Sequence, residues 1–452
     1  MISHQLKILP VALIATAMFL QSAPARAADS YAIVVSEATS AQADWGKVVD
    51  ALKTKHGATV HTYKTSPIEA LAALKKSFPE YACFVATPAE ASRKFVAVVH
   101  QLTRKLDDDP YTDLLWGILT GYDASNALRI AKCAAPLTVN KVASGTDVAL
   151  EMCAEGLWYC ELKKNRMVRK LPGGKPKEEK GPDDTTAALA DTLNTYKAEL
   201  FVTSGHATEK DWQIGFRYRN GSFRCKDGQL YGLDTKGRKI AINSPNPKVY
   251  LAIGNCLMGH INSPQAMALA WMNSAGVNQM VGYTVPTWFG YGGWGCLDFF
   301  LEQPGRYTLT EAFFANHHAL VHKLSTATGR EAKGLKFDRD FVAFYGDPAW
   351  VARMAPATCA WDQKLTEDKG KYTFTIKPNR GEATFKPINT NGSQRGGRPI
   401  VAYLPHRVKD VKIIKDSDLK PVVTDNFLLI PNPGKCDPEK KYELVFTATK
   451  MK

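Results

Sequence analysis

The chain has 452 residues, of which 45% are hydrophobic and 23% charged, and its formal net charge is +14. This composition excludes an intrinsically disordered protein, because there are enough apolar side chains to bury a core. The length is typical of two or three domains rather than one. Apart from the lysine-rich stretch 163–180 the basic residues are scattered, and no basic stripe interleaved with aromatic residues indicates a nucleic-acid groove. We therefore predict no nucleic-acid partner.

The first 27 residues have the pattern of a secretory signal peptide. Lys7 supplies the positive start, residues 8–20 form an apolar run, and Ala25-Arg26-Ala27 matches a small-x-small cleavage site. The apolar run is too short to span a bilayer, and nothing later in the sequence resembles a transmembrane helix. The sequence therefore predicts a secreted or periplasmic protein, cleaved near Ala27 and without an integral membrane segment.

Residues 28–135 are predicted to form a first α/β subdomain. Short apolar strands are expected at 31–35, 58–63, 81–86 and 114–119, and amphipathic helices at 43–55, 67–78, 91–106 and 123–132. The repeated β-α-β pattern implies a mostly parallel sheet with helices on both faces.

Residues 136–358 are predicted to form a second subdomain of the same class, which carries the catalytic residues. Strands are expected at 141–145, 199–203, 249–253 and 279–285, and helices at 147–160, 185–197, 264–275 and 310–324. The stretch 163–184 is dense in Lys, Gly, Pro and Glu, which predicts an exposed loop. The turn-rich stretch between residues 206 and 256 predicts hairpins.

From residue 359 onward the pattern is that of an all-β domain, predicted over 359–452. Short strands are expected at 371–376, 382–385, 400–404, 411–414, 427–430 and 442–447, separated by Gly, Pro and Asn turns. Regular short strands of this kind predict a small antiparallel sandwich.

The sequence contains nine cysteines. Export favours disulfides, and an odd number in an exported protein indicates at least one unpaired thiol. Eight could pair and leave Cys256 free. Cys359 and Cys436 bracket the last domain and are one candidate pair.

Two of the predicted strands are followed by residues suited to covalent catalysis. Strand 199–203 leads into His206, and the fully apolar strand 249–253 leads into Cys256. If these strands are parallel neighbours, both side chains lie at the sheet edge where α/β proteins place their active sites. A cysteine beside a histidine forms a thiolate nucleophile with its own base. Taken alone, each residue is more often structural, the cysteine as a small buried apolar side chain.

Four segments together resemble one known family. They are the run from Tyr250 to Cys256 followed by Gly259 and Ile261, the segment Ser204-Gly205-His206, the motif Gly346-Asp347-Pro348, and the region 110–127. The family is the gingipains, which are cysteine peptidases with a caspase-like fold. The resemblance covers about residues 30–450. It implies a caspase-like α/β fold of two subdomains followed by a small immunoglobulin-like sandwich.

The resemblance also implies roles for particular residues. Cys256 would attack the scissile carbonyl, His206 would act as base and then as acid, and the backbone N–H groups of Cys256 and Ala207 would form the oxyanion hole. The implied function is a secreted cysteine endopeptidase that acts on proteins or peptides without a cofactor. Ala207 stands where the family usually has glycine, which leaves open an inactive relative that binds peptides or proteins.

Two further residues are candidates for substrate binding. Asp147 resembles the acidic residue at the base of the P1 pocket in arginine-specific gingipains, which would favour a basic P1 residue. It could equally cap the helix predicted to follow it. Trp288, like Trp294, could line the cleft or pack in the core. No metal site is predicted, because the spacing of His260 and the later histidines matches no ligand motif.

Overall fold

The computed structural model describes residues 31–451, so the predicted signal peptide, residues 1–27, lies outside the described residues. Within 31–451, no helix combines the length and the apolar character needed to cross a membrane. The described chain forms one twelve-stranded sheet flanked by helices, together with four smaller sheets.

The first part of the chain alternates strands and helices as predicted. Its strands are β1 (Tyr31–Ser36), β2 (Thr59–Tyr63), β3 (Tyr81–Val85) and β4 (Leu115–Leu119). Its helices are α1 (Glu37–Ser40), α2 (Ala43–His56), α3 (Leu71–Ser77), α4 (Arg93–Thr103) and α5 (Ala124–Lys132), with a 3-10 turn at Pro67–Ala70. These strands pair in parallel in the order β2-β1-β3-β4, since each helix returns the chain to the same end of the sheet.

The second part adds most of the remaining strands and helices. Its strands are β5 (Leu137–Val139), β6 (Lys141–Ser144), β7 (Glu155–Tyr159), β8 (Arg166–Lys170), β9 (Lys177–Lys180), β10 (Leu200–Thr203), β11 (Asp211–Gln213), β12 (Ser222–Lys226), β13 (Gln229–Leu233), β14 (Lys239–Ile242), β15 (Lys248–Ala252), β16 (Val277–Tyr283), β17 (Val342–Tyr345) and β18 (Ala352–Met354). Its helices are α6 (Thr186–Asn194), α7 (Met267–Ser274), α8 (Tyr291–Phe300), α9 (Leu309–Leu324) and α10 (Gly329–Phe341), with a 3-10 turn at Leu150–Met152.

The large sheet has the order β2-β1-β3-β4-β17-β16-β15-β10-β6-β7-β8-β9. Strands β16, β15, β10, β6 and β7 run parallel to one another. Strand β17 is antiparallel to β16 and joins β4 through one residue pair. Strands β10 and β15 are buried along their whole length, which explains their unbroken apolar sequences. The predicted mostly parallel sheet is therefore confirmed.

Hairpins occupy the segment between β10 and β15, as predicted. Strands β11 to β14 form a four-stranded antiparallel sheet in chain order. This small sheet begins directly after His206, so it shapes the surroundings of the imidazole.

Two predictions for the second part were wrong. Residues 147–160 do not form a helix, because the segment holds only a 3-10 turn at Leu150–Met152 followed by β7, which pairs in parallel with β6. Gly156 allows the two strands to approach, since a Cβ there would lie 2.7 Å from the Val142 carbonyl oxygen. Residues 163–184 are not a plain loop, because they contain the β8–β9 hairpin at the sheet edge. The charged composition of this segment indicated a loop. Charged side chains are also typical of exposed edge strands, where they prevent pairing with another chain.

The last part of the chain is antiparallel β structure, as predicted. Its strands are β19 (Trp361–Asp368), β20 (Lys371–Pro378), β21 (Ile400–Tyr403), β22 (Val408–Lys415), β23 (Val422–Val423), β24 (Phe427–Ile430) and β25 (Tyr442–Lys450). They form two sheets, β19-β20-β25-β22 and β21-β24-β23, which enclose a second apolar core. The strand predicted at 382–385 was wrong, since that segment holds a 3-10 turn at Gly381–Ala383. An immunoglobulin-like strand arrangement stays a prediction.

The β region is packed against the α/β region. Val401 on β21 and Phe427 on β24 belong to the large core of the α/β part, and the Tyr307 hydroxyl donates to the Val401 carbonyl at 2.6 Å. All nine cysteines fall within the described residues and each is a free thiol. The candidate pair Cys359–Cys436 is therefore not formed.

Candidate active site

The carboxyl ends of β10 and β15 carry the two predicted catalytic residues. The strands are parallel neighbours, with Thr203 opposite Ala252. His206 follows the first strand and Cys256 the second. Because neighbouring parallel strands end at the same edge, both side chains lie on that edge of the sheet.

Cys256 is a half-buried free thiol held by the segment that follows β16. The Thr287 backbone N–H donates to its sulfur at an N···S distance of 3.3 Å. The Thr287 hydroxyl donates to the Asn255 carbonyl at 2.9 Å, which fixes this contact. The residue after the nucleophile, Leu257, has a φ of 58°, a strained conformation for a branched side chain of the kind that clusters at active sites.

The His206 imidazole is exposed and stacks on the Phe216 ring, with the ring centroids 4.7 Å apart. The Phe216 backbone N–H donates to the Glu161 carbonyl at 2.7 Å, so the stacking partner is itself fixed. Across residues 31–451 the hydrogen bonds of the Cys256 sulfur are with Thr287 and not with the imidazole. Catalytic hydrogen bonds are often long in unliganded enzymes and tighten in the substrate complex.

The Asn255 side chain ties the histidine segment to the cysteine segment. Its amide nitrogen donates to the Gly205 carbonyl at 3.1 Å, next to His206. Its amide oxygen accepts from the Thr203 hydroxyl, which also bonds to the Tyr250 hydroxyl at 2.8 Å. Asn255 is fully buried, so these bonds are made away from competing water. One buried side chain therefore links the two segments beyond the ends of the paired strands.

Ala207 has a backbone suited to the predicted oxyanion hole. It forms an isolated antiparallel bridge with Trp212. In that bridge the Gln213 N–H donates to the His206 carbonyl, and the Thr208 N–H donates to the Asp211 carbonyl. The bridge thus leaves the Ala207 N–H unused. Ala207 also lies outside the left-handed region, whereas Gly205 has a φ of 88°. The methyl group of Ala207 therefore adds no backbone strain.

Asp147 lies beyond the end of β6, the strand beside β10, and hence at the same sheet edge. It caps no helix, because the 3-10 turn at Leu150–Met152 begins from Ala149 without a side-chain cap. Its carboxylate instead accepts from the Asn389 side-chain amide at 3.2 Å. Burial raises the pKa of Asp147, while the Asn389 hydrogen bond and the charge of Arg166 lower it.

A second acid, Glu161, lies beyond β7 at the same edge, and the sequence analysis missed it. Its carboxylate accepts from the Thr146 hydroxyl at 2.6 Å. Burial raises the pKa of Glu161 to about 7, against the hydroxyls of Thr146 and Ser204, which lower it. A Cβ at Gly205 would lie 3.2 Å from the Glu161 carboxylate. Glycine is therefore needed at 205 for the turn and also for this close approach.

The two tryptophans differ in exposure. Trp288 follows Thr287 and is 42% exposed, and its ring contacts those of Phe289 and Phe337. Trp294, on α8, is buried. A Cβ at Gly254 would lie 2.9 Å from the Trp294 indole nitrogen, so this ring packs beneath the cysteine segment. Trp288 is thus the one of the two that faces solvent beside the nucleophile.

One group of three acids in the described part of the chain is close enough to share a metal ion. Carboxylate oxygens of Asp107, Asp109 and Asp113 lie within 4.8 Å of one another. Burial and the neighbouring acids raise the pKa of Asp113 to about 8. Each of these carboxylates also accepts a backbone N–H group, from Leu106, Asp109 or Tyr111. Hydrogen bonds of this kind are typical of aspartates that form turns, so these three acids do not identify a cofactor.

Several residues of this edge could not be assigned from sequence. Thr287, Asn389 and Glu161 come from segments far apart in the chain and meet the site only through the fold. Asn255 alone carried a signal, since it directly precedes the candidate nucleophile.

No protein-family model matches this chain, and no curated protein matches it in sequence. Among solved structures, it is similar to the crystal structure of the Arg-specific cysteine proteinase gingipain R (RgpB), at 12% identity and a TM-score of 0.46, over 95% of this chain and 99% of that one. It is similar to the complex of the RgpB pro- and mature domains of Porphyromonas gingivalis at 12% identity and a TM-score of 0.46, over 93% and 100%. A third structure, described as a protease, has 12% identity and a TM-score of 0.42, over 94% and 98%.

Two of these three neighbours are gingipain R. Identity of 12% says nothing about activity, because activity depends on the side chains of a site and not on the fold.

Proposed function

We propose that this protein is a cysteine endopeptidase in which Cys256 is the nucleophile and His206 is the general base and acid. The observation that carries the proposal is the parallel pairing of β10 and β15. It brings a free, half-buried thiol and an exposed imidazole to one sheet edge. This combination of groups is that of a thiolate nucleophile with its own proton carrier.

The proposed reaction proceeds through an acyl-enzyme. His206 takes the proton of the Cys256 thiol, and the thiolate attacks the scissile carbonyl carbon to form a tetrahedral intermediate. Its oxyanion accepts from the N–H groups of Cys256 and Ala207. The C–N bond then breaks and His206 gives its proton to the leaving amine. A water molecule, deprotonated by His206, hydrolyses the thioester and restores the thiol.

The proposed substrate is a protein or peptide, with a basic P1 residue preferred. Asp147 supports this preference, since a half-buried carboxylate at the same edge is suited to a guanidinium or ammonium group. Trp288 would offer an exposed aromatic face to the substrate. We also propose that residues 1–27 direct the protein to the periplasm or the exterior.

A second candidate function is a binding module without catalysis. The observation that favours it is that the Cys256 sulfur bonds to Thr287 and not to His206, whose ring stacks on Phe216. If the imidazole makes no hydrogen bond with the sulfur when peptide is bound, the histidine cannot act as its base.

Alkylation kinetics separate the two functions. Iodoacetamide at pH 6 should alkylate Cys256 at least about tenfold faster in the wild type than in His206→Ala, because a histidine partner raises the thiolate fraction. Cys225 is no reference for this rate, since burial raises the pKa of its thiol to about 11. Cys256→Ala should abolish cleavage of peptides with lysine or arginine at P1, and Cys225→Ala is the matched control that should cleave at the wild-type rate. Equal alkylation of Cys256 in the wild type and in His206→Ala, with peptide bound but not cleaved, would support the binding module instead.

A further inference from the structure

A loop of the C-terminal β region reaches the acid at the substrate edge. This loop, residues 386–398, precedes β21. The Asn389 amide donates to the Asp147 carboxylate at 3.2 Å. Two residues later, the Asn391 amide donates to the Thr146 hydroxyl at 3.1 Å. Consecutive side chains at the end of β6 thus bond to one loop that lies more than two hundred residues further along the chain.

Buried ion pairs hold the 386–398 loop in this position. Arg395 pairs with Asp298 on α8 at 2.7 Å and also with Glu302 just after that helix. Its side chain is 1% exposed. Arg398 lies over the Tyr291 ring, 3.7 Å from the centroid. A buried charge pair resists separation because either partner left alone would remain desolvated. The loop is therefore a fixed part of the α/β surface and not a loose tail.

The same loop continues toward the nucleophile. A Cβ at Gly392 would lie 2.4 Å from the Trp294 ring, so the loop backbone lies directly on that ring. Trp294 also packs against Gly254, two residues before Cys256. The loop thus spans the space between Asp147 and the cysteine segment.

We propose that the 386–398 loop completes the substrate-binding site and that Asn389 is a specificity-determining residue. This inference rests on the proposed peptidase function. It assigns to the C-terminal β region a direct part in substrate selection, which the sequence analysis gave to the α/β region alone.

The chemistry of the Asp147–Asn389 pair favours a cation. The amide donates through its nitrogen, and its carbonyl oxygen accepts from the Asn391 backbone N–H at 2.7 Å. An amide oxygen has two lone pairs, so one remains as an acceptor beside the carboxylate. Among the described residues Asp147 accepts this hydrogen bond but forms no ion pair. The charges of Arg166 and Arg395 act on this half-buried carboxylate, but neither arginine pairs with it directly. A carboxylate without a direct ion pair, next to a second acceptor, suits the ammonium or guanidinium of a substrate side chain.

The test compares Asn389→Ala with Thr390→Ala, a matched control at the exposed neighbouring position of the loop. Values of kcat/KM are measured for three peptides that differ only in lysine, arginine or alanine at P1. Asn389→Ala should lower kcat/KM about tenfold for the two basic peptides and less than twofold for the alanine peptide. Thr390→Ala should match the wild type for all three. The iodoacetamide rate of Cys256 should be the same in every variant, since Asn389 does not contact the sulfur.

The outcomes separate this inference from the function on which it rests. Wild-type protein that neither alkylates rapidly at Cys256 nor cleaves any peptide overturns the peptidase function, and the role of Asn389 with it. Active wild-type protein with an unchanged P1 profile in Asn389→Ala overturns the role of Asn389 alone. A uniform rise in kcat/KM for all three peptides would show that the loop blocks access to the site and does not select the P1 side chain. That result would also overturn the role of Asn389.

Discussion

Asp347 and Glu161 are two buried carboxylates, each placed just after a strand of the large sheet, and their pKa values shift in opposite directions. Asp347 accepts from the Tyr31 hydroxyl and pairs with Lys55 and His56, each at 2.8 Å. These partners hold its pKa well below the usual range despite complete burial. Glu161 accepts from the Thr146 hydroxyl and has the Asp147 carboxylate nearby, and burial, with a smaller contribution from that charge, raises its pKa to about 7.

The difference shows that burial alone does not decide what a carboxylate does. Asp347 has cations and stays charged, so it stabilises the contact between the two ends of the α/β region. Glu161 has no ion-pair partner among residues 31–451 and bears the cost of desolvation. Uncompensated acids of this kind concentrate at functional sites, and Glu161 lies against the histidine segment.

The largest expected effect is that of Asp347→Asn. Removing the charge leaves Lys55 and His56 beside a neutral amide, and the free energy of unfolding should fall by about 3 kcal/mol. Urea unfolding at pH 7 measures this change. The folded-state pKa of Asp347 lies below the unfolded value of about 3.9. The stabilisation by its charge is therefore complete above a pH of about 3.9, and it is lost as the pH falls from there through the folded-state pKa.

Asp44→Asn is the control for this substitution, since Asp44 pairs with Lys47 on the exposed face of α2. It should change the free energy of unfolding by less than about 0.5 kcal/mol. If Asp347→Asn lowered the free energy of unfolding no more than Asp44→Asn does, the result would contradict the stabilising role of the Asp347 ion pairs.

The next effect is that of Glu161→Gln, and it depends on pH. The folded-state pKa of Glu161, about 7, lies above the unfolded value. The wild type therefore loses stability as the pH rises from about 4 to 7, and this loss is complete above the folded-state pKa. Glutamine cannot ionise. The free energy of unfolding of the variant, relative to that of the wild type, should therefore increase by about 2 kcal/mol between pH 5 and pH 8. Urea unfolding at both pH values tests this, and parallel pH curves for the two proteins would show that Glu161 does not titrate in this range.

The smallest effect on stability is expected for Asp147→Asn, which should act on catalysis. Neutralising Asp147 should lower kcat/KM for lysine and arginine at P1 by roughly 10- to 100-fold, since hydrogen bonds to charged groups contribute about 1.5–3 kcal/mol. The unfolding free energy should stay within about 0.5 kcal/mol of the wild type. An equal loss with alanine at P1 would mean that Asp147 supports the site generally and does not select the P1 side chain.

Much of the α/β architecture was predictable because its strands are apolar on both faces. The strands that end before His206 and Cys256 read as unbroken apolar runs, and parallel pairing of neighbours then put both residues at one edge. Asp123 as the cap of α5 was predictable for a similar reason, since capping depends on residues close in sequence.

The misassigned segments are those in which tertiary contacts outweighed local preference. Residues 150–154 have helix-forming side chains, but β7 follows because the edge of β6 was free to pair. Helix α8 was missed because its glycines argue against a helix. They are explained by packing, since a Cβ at Gly293 would lie 2.2 Å from the Ile253 carbonyl oxygen. Strand β17 was missed because it enters the large sheet from the far end of the chain.

By itself, the sequence determined which strands are apolar enough to be buried, and it gave the candidate pair His206 and Cys256, which meet at one edge if β10 and β15 are parallel neighbours. These follow from short-range patterns of apolar residues and from the rule that parallel strands end together. Only the tertiary structure decided what surrounds that pair: Thr287 on the sulfur, Asn255 between the two segments, and Asn389 on Asp147. Hydrogen bonds between residues so distant in sequence depend on the closure of long loops, and no local pattern of side chains encodes them.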